Sequence, residues 1–490
     1  MRPFRLALFA DSAYQWLAKA LEEQAAKAQF PLELRCWGFV SPLVEQQALA
    51  DFQPDAVVLW TCAEQARTQG LPELAPMVAL PYHWLVCNLP ALDDGAFGSY
   101  ALKYPTSLRS RLLQWNLRLL ELAAQRENVT PIDLEGIVAH LGRKTSFDAR
   151  LWEAMRLALT PTGCEVLAQH LLAHVRALRG QVKKVLVTDL DDTLWSGIVS
   201  EVGPVAIDPE GPGRRAYHAW LKTLAERGIL LAIASRNDLA TVKAVFERED
   251  VPFSLDDFAA VEVAWDRPKS AMLQAIASQL GVHVDSLVFI DDREEHRNEV
   301  RAQLPAVTVP ELPEDSAQWM DVLSASTAFE TLAVTEDDRF RAASLRANQQ
   351  RLADAMVLSP EAYLERLEQV LTPSPLQSPY LERAAQLTQR CNRFNMCGTR
   401  HTADDLAQRT GWVYHLKDKY GDLGMVSVVV LEGREIKTWV LSCRAFGRQV
   451  ERLILDHLKA TVPQLCGAYI PTERNQACAT LYVENGVPSP

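Results

Sequence analysis

Residues 182 to 195 read Val-Lys-Lys-Val-Leu-Val-Thr-Asp-Leu-Asp-Asp-Thr-Leu-Trp, an apolar β-branched run that stops abruptly in carboxylates. A short run of this kind, bounded by polar residues, fits a buried strand of a parallel sheet. It places Asp189 and Asp191 where that strand meets solvent. Two carboxylates so close repel each other unless a cation lies between them, and a hard ion such as Mg²⁺ suits oxygen ligands. With a metal in place, one carboxylate attacks phosphorus and the other moves a proton. On this segment alone, a solvated acidic strand end is the alternative reading.

Three further segments follow in order. Gly228-Ile-Leu-Leu-Ala-Ile-Ala-Ser235 is a second apolar strand, closed by a hydroxyl that can bind a phosphoryl oxygen. Lys269, in Trp265-Asp-Arg-Pro-Lys269, can neutralise a nucleophile and a transferring phosphoryl group. Ser286-Leu-Val-Phe-Ile-Asp291-Asp292 is a third strand ending in paired carboxylates. Taken singly, Ser235 and Lys269 read as a turn serine and a surface lysine; in sequence they read as one site. The expected catalytic set is Asp189, Asp191, Ser235 and Lys269, with Asp189, Asp191, Asp291 and Asp292 as metal ligands. Strands alternating with the helical stretches Arg214 to Arg227 and Lys269 to Leu280 predict a doubly wound parallel sheet with its chemistry at the strand C-termini.

At 490 residues the chain exceeds one core and suits two or three domains. A net charge of −12 gives no global electrostatic case for nucleic acid or membrane binding. The nine cysteines (36, 62, 87, 164, 391, 397, 443, 466 and 478) are scattered and form no Cys-x-x-Cys, so they read as reduced thiols. The apolar run Phe4 to Ala10 is too short for a signal peptide, and no stretch reaches membrane-spanning length. The expectation is a soluble cytoplasmic protein.

Residues 1–181 predict an α/β region: a strand at Phe4 to Phe9, a helix with Trp16, Leu17 and Leu21 on one face, a strand at Ala56 to Trp60, and an amphipathic helix over Leu108 to Gln125. Residues 182–330 carry the carboxylate-bearing sheet. A charged helical connector, Glu336 to Asp354, and a Pro/Ser-rich bend, Thr372 to Pro379, open the last region, 331–490. There Val426 to Leu431 and Ile436 to Ser442 read as paired strands around Glu432-Gly433, and Val450 to Lys459 as a helix. Between strand and helix lies Ser442-Cys443-Arg444-Ala-Phe-Gly447-Arg448-Gln449. A glycine-containing turn at a helix N-terminus offers N–H groups to an anion, and Arg444 and Arg448 add charge. Upstream, Gln389-Arg390-Cys391-Asn392-Arg393-Phe394-Asn395 adds two arginines and the amides of Asn392 and Asn395. A pyrophosphate or a phosphopantetheine phosphate is the expected ligand; a solvated basic loop is the alternative.

Asp189 to Gly203, Phe289 to Asp315, Leu387 to Asn395, Asp418-Lys-Tyr-Gly-Asp422 and Leu441 to Glu451 together resemble the FkbH-like proteins of the HAD phosphotransferases, over nearly the whole chain. Trp195 after the DxDxT run is the most diagnostic residue. The resemblance implies an SGNH-hydrolase-like N-terminal domain, a HAD catalytic domain and a GNAT-like C-terminal domain. It also implies Mg²⁺, 1,3-bisphosphoglycerate as a phosphorylated three-carbon donor, and an acyl carrier protein with its phosphopantetheine arm as acceptor. An Mg²⁺-dependent small-metabolite phosphatase without thioester formation is the alternative.

The chain departs from the family at several positions. Ala234-Ser235-Arg236-Asn237 stands where the family has Cys-Ser-Lys-Asn, so the cysteine proposed to carry the glyceryl thioester is missing. Arg293-Glu294 replaces Asn-Pro after Asp291-Asp292, and Gln449 replaces the last glycine of Arg-x-x-Gly-x-Gly. Asp11-Ser12 resembles an SGNH nucleophile turn, but no Asp-x-x-His precedes Thr160-Pro-Thr-Gly163, so that domain is expected to be catalytically dead. The acceptor thiol is then the phosphopantetheine itself, or Cys443 beside two arginines that favour its thiolate, with Cys391 a weaker candidate. A basic face for an acidic carrier is expected from Arg390, Arg393, Arg400, Arg444, Arg448 and Arg452.

Overall fold

The computed structural model describes residues 2–67, 70–92, 95–332, 359–391, 394–442, 445–472 and 475–489. They form three sheets in two compact units, Met1–Arg339 and Phe340–Pro490.

The first sheet has the order β2-β1-β3-β4-β5, all parallel, from β1 (Phe4–Ala10), β2 (Leu32–Gly38), β3 (Ala56–Trp60), β4 (Trp84–Cys87) and β5 (Val129–Ile132). Alternation along β1 feeds two cores. Leu6 and Leu8 pack with Leu17 and Leu21 of the helix Gln15–Lys27 and with Leu167 and Leu171 of Pro161–Leu178. Ala7 and Phe9 face the other way, toward Leu112, Trp115 and Leu119 of the helix Leu108–Gln125. With both faces covered, β3 is buried at every position, which is why it reads as an unbroken apolar run.

The second sheet, also parallel, has the order β8-β7-β6-β9, from β6 (Val185–Thr188), β7 (Leu230–Ser235), β8 (Ala260–Val263) and β9 (Leu287–Ile290). Sequence patterning missed β8, a four-residue edge strand that is mostly half-buried. Thr188 pairs with Ile233 and Ile290, so the C-terminal ends of β6, β7 and β9 open at one level.

Three domains were expected, yet both parallel sheets lie in one unit. The helix Pro161–Leu178 brings His170 and His174 to within 3.7 and 3.5 Å of Glu330, and Arg227 Nη2 donates to the Phe329 carbonyl at 2.6 Å. The histidine contacts tie the segment after the second sheet to the first, and the Arg227 bond ties it to the second.

The third sheet has the order β10-β11-β12-β13-β14, from β10 (Val370–Pro375), β11 (Thr410–Asp418), β12 (Gly421–Glu432), β13 (Glu435–Leu441) and β14 (Cys466–Gly467). It is antiparallel except between β13 and β14. The expected hairpin is present, with Gly433 at φ +60° in its turn, and the following helix spans Val450–Thr461. The expected bend at Thr372 to Pro379 is corrected: its first half is β10, an edge strand, where Pro373 and Pro375 can do without an N–H. The connector Glu336 to Asp354 lies outside the described residues. Among the described residues, no helix is long and apolar enough to cross a membrane.

Candidate active site

Asp189 follows β6, Ser235 closes β7, Asp291 follows β9, and Lys269 begins the helix Lys269–Leu280. Apolar strands in the middle of the sheet carry polar termini to a common edge, as parallel α/β sheets do. Lys269 is only 1% exposed. Its ammonium lies 2.7 Å from Asp189 Oδ1 and 3.0 Å from Asp291 Oδ2, and it donates to the Ala234 carbonyl at 2.8 Å. Burial would drive its proton off, but the two carboxylates outweigh that and hold its pKa above the ordinary lysine value.

The two carboxylates beside Lys269 differ. Asp291 accepts from the Arg293 backbone N–H at 3.0 Å and faces His296 Nδ1 at 3.2 Å from both oxygens. Burial opposes its charge, yet Lys269 and His296 prevail and its pKa lies below the usual range. Asp189 Oδ1 is buried against the Lys269 ammonium at 2.7 Å, and the Leu190 N–H gives the carboxylate a weaker second donor. Burial therefore pushes Asp189 up to about 6 against the pull of Lys269, with Asp291 adding repulsion. Arg297, itself buried, donates to the carbonyls of Asp291 and Asp292 and pairs with Glu311 at 2.6 Å, which fixes this loop.

Asp191 belongs to a different set. Its Oδ1 accepts from Trp195 Nε1 at 2.9 Å and from the Val199 N–H at 3.2 Å, and its Oδ2 from Asn237 Nδ2 at 2.8 Å. Burial raises its pKa, and these three donors restrain the rise. Such a carboxyl is suited to passing a proton in either direction. Removing one donor destabilises the carboxylate, so Asn237→Ala should raise the Asp191 pKa further. The expected result is an alkaline limb of kcat/KM for phosphomonoester hydrolysis displaced to higher pH. A pH–rate profile checks this; an unmoved limb would separate Asp191 from the proton transfer.

The carboxylates expected to hold metal are Asp189, Asp191, Asp291 and Asp292. Asp189, Asp291 and His296 each offer a ligand atom within 4.8 Å of one another. The carboxylates of Asp191 and Asp292 lie outside that group. Asp292 accepts from Thr193 Oγ1 at 3.0 Å and returns its own N–H to the same hydroxyl at 3.1 Å. His296 was missed by sequence reasoning; its only signal was a position on the first turn of the helix after β9. Asn237 and Trp195 were seen as motif residues without their role at Asp191.

The expected anion site in the second unit changes more. Asn395 is buried, and its amide closes a turn: Nδ2 donates to the Thr399 carbonyl at 3.1 Å, and Oδ1 accepts from the Gly398 N–H at 2.8 Å. Arg448 is also buried, with Nη1 3.4 Å from Asp418 Oδ2. Neither offers its polar group to solvent, because buried amides and guanidinium groups need internal partners. Gly447 lies in the turn with φ +72° and open space where a Cβ would stand. Gln449 takes a left-handed φ of +55°, where the family's glycine is unstrained, and its side chain is exposed. Cys443, Arg444, Asn392 and Arg393 lie outside the described residues.

At the N-terminal turn, Ser12 is fully buried and its hydroxyl has no hydrogen-bond partner, while Asp11 accepts from the Cys62 N–H at 2.7 Å. Among the described residues, no base is hydrogen-bonded to that hydroxyl.

Residues 74–175 match the family described as FkbH, N-terminal domain. Among solved structures, the chain is similar to the N-terminal part of the protein BF1531 from Bacteroides fragilis, which contains a phosphatase domain complexed with Mg. The identity is 27% and the TM-score 0.63, over 68% of this chain and 95% of that one. An ABC transporter solute-binding protein from Agrobacterium vitis is 11% identical with a TM-score of 0.14, over 66% of this chain and 87% of that one; it carries no weight. No curated protein matches the chain. With the strand-end carboxylates and the buried lysine, the likenesses support a HAD-type phosphatase. More particularly, they support an FkbH-like HAD protein.

Proposed function

We propose that this chain is a Mg²⁺-dependent phosphatase and acyltransferase that dephosphorylates 1,3-bisphosphoglycerate and loads its glyceryl unit onto an acyl carrier protein. The carrying observation is Lys269 held between Asp189 and Asp291 at the sheet edge, with Asp191 on its own donors. In this reading 1–181 is the SGNH-like domain, 182–330 the HAD domain and 331–490 the GNAT-like domain. Asp189 attacks phosphorus, Asp191 protonates the leaving oxygen and later accepts a proton from water, and the Ser235 hydroxyl and Lys269 hold the phosphoryl oxygens.

The residues fit a hard divalent cation. Asp189 and Asp291 bring buried carboxylate oxygens within 4.8 Å of each other. Asp189 and Asp291 would hold Mg²⁺, and the ion would supply positive charge toward the phosphoryl group. His296 aligns the Asp291 carboxylate from behind, as an outer-shell partner. Millimolar Mg²⁺ should therefore raise the melting temperature of the wild type, and Asp189→Asn and Asp291→Asn should each remove most of that rise. Scanning calorimetry reads it; an equal rise in all three proteins would place the metal elsewhere.

Two phosphates of different kinds must leave the donor. A thiol attacking the acyl carbonyl expels the acyl phosphate, and the remaining monoester is cleaved at phosphorus by Asp189. If Asp189 took the acyl phosphate at phosphorus first, a free carboxylate would leave and activation would be lost. No cysteine lies between Cys164 and Cys391, so the carboxylate-bearing segment has no thiol of its own. That favours direct attack by the phosphopantetheine thiol. The second reading, a phosphatase without thioester formation, is favoured by one observation: fully buried Ala234 stands where the resembling proteins have the cysteine.

A further inference from the structure

The helix Leu108–Gln125 buries Leu108, Leu112, Trp115 and Leu119 against the first sheet. A surface helix normally turns charge outward on the other side. Here Leu113, Leu117 and Leu120 stand outward, 46%, 57% and 57% exposed. Their i, i+4, i+7 spacing makes one ridge about 10 Å long. Exposed Phe97, Tyr100, Leu102 and Tyr104 lie on the segment leading into the helix, where the Phe97 and Tyr104 rings stack at 5.2 Å. Ser107 and Ser110 hydroxyls both donate to the Ala101 carbonyl and tie that segment to the helix start.

Single exposed leucines are ordinary, but a contiguous set marks an interaction surface. Beside the ridge runs a cavity of about 470 Å³ lined by Arg111, Arg118, Glu73, Glu121, Trp115 and Leu122 among others. Arg111 Nε is buried there without a hydrogen-bond partner. From residue 95 to residue 126 the chain carries five basic side chains and one acidic, within a protein of net charge −12. An apolar ridge with a basic surround fits an acidic amphipathic helix, which would pack its own ridge along this one. A second copy of the chain fits poorly, because two-fold packing would lay the basic surface on itself.

We propose that this face docks an acidic helical partner, and that the partner is the carrier protein; the identity of the partner rests on the function proposed above. Of the arginines expected to face the carrier in the last region, Arg448 is buried against Asp418. The test is binding of purified holo-acyl carrier protein to the full chain, to Leu117→Asp/Leu120→Asp and to Arg118→Glu. Melting curves and phosphate release from a soluble phosphomonoester run beside it. The expected result is a loss of about tenfold or more in carrier affinity for the leucine pair and a smaller, salt-sensitive loss for Arg118→Glu, with melting and phosphate release unchanged. Equal binding by all three proteins would overturn the docking face and leave the carrier reading standing. No binding by the wild type would overturn the carrier reading and, with it, the named partner. Sedimentation with anionic vesicles, if lost with the same substitutions, would overturn the proposal by assigning the face to a lipid surface.

Discussion

Replacing Asp189 with Asn should lower kcat for phosphomonoester hydrolysis by roughly 10³-fold or more, because the amide lacks the carboxylate's nucleophilic oxygen. The variant should nevertheless be at least as stable as the wild type without metal. Asp189 has its folded pKa raised from 3.8 to about 6 by burial. A raised carboxyl contributes stability that is complete below about pH 4 and lost as pH rises through about 6. At pH 8 the wild type therefore holds a charge that burial disfavours, and the neutral amide does not. Metal-free Asp189→Asn should melt above the wild type at pH 8, and the gap should close toward pH 4. Steady-state kinetics and melting at the two pH values check both halves. A variant that lost activity by unfolding would contradict this assignment.

Lys269→Met should give the opposite pattern. Lys269 is the one cation the structure shows within ion-pair distance of the Asp189 carboxylate, and it also reaches Asp291 at 3.0 Å. Removing one partner of a buried charge cluster leaves the rest uncompensated, at a cost of about 3–5 kcal/mol. The loss should be largest at high pH and shrink as pH falls, because without the ammonium Asp189 takes up its proton more readily than in the wild type. Chemical denaturation measures it. The double variant Asp189→Asn/Lys269→Met should recover part of the loss, since one of the two stranded charges is gone. A Lys269→Met protein of wild-type stability at pH 8 would mean that the ammonium does not balance these carboxylates.

The catalytic strand ends were legible for a physical reason. Asp189, Ser235 and Asp291 each terminate an apolar run that parallel-sheet burial makes conspicuous, and Lys269 opens a helix just after a proline. What a side chain does after its element ends was less legible. Asp191 and Asp292 look equivalent to their neighbours in sequence, yet three donors from Trp195, Val199 and Asn237 claim one, and Thr193 claims the other. His296 reaches Asp291 across a strand-to-helix turn, a contact that neither helical nor strand periodicity announces. In the last region, Asn395 and Arg448 were read as ligand-holding because amides and arginines accompany a glycine-containing turn at a helix N-terminus. Both are buried, and burial commits their polar atoms to a turn and to Asp418. The same limit hid the face of Leu108–Gln125. Its inner residues carry the helical spacing, and the outer leucines read as more of the same core until the sheet shows which side is covered.

The most direct test of the proposed chemistry is the intact mass of holo-acyl carrier protein after incubation with this protein, Mg²⁺ and a 1,3-bisphosphoglycerate-generating system. The predicted result is a carrier that gains one unphosphorylated glyceryl unit with the wild type, and none with Asp189→Asn beyond a phosphorylated form. Release of inorganic phosphate with no mass added to the carrier would contradict loading and leave a phosphatase built on Asp189, Asp191, Ser235 and Lys269.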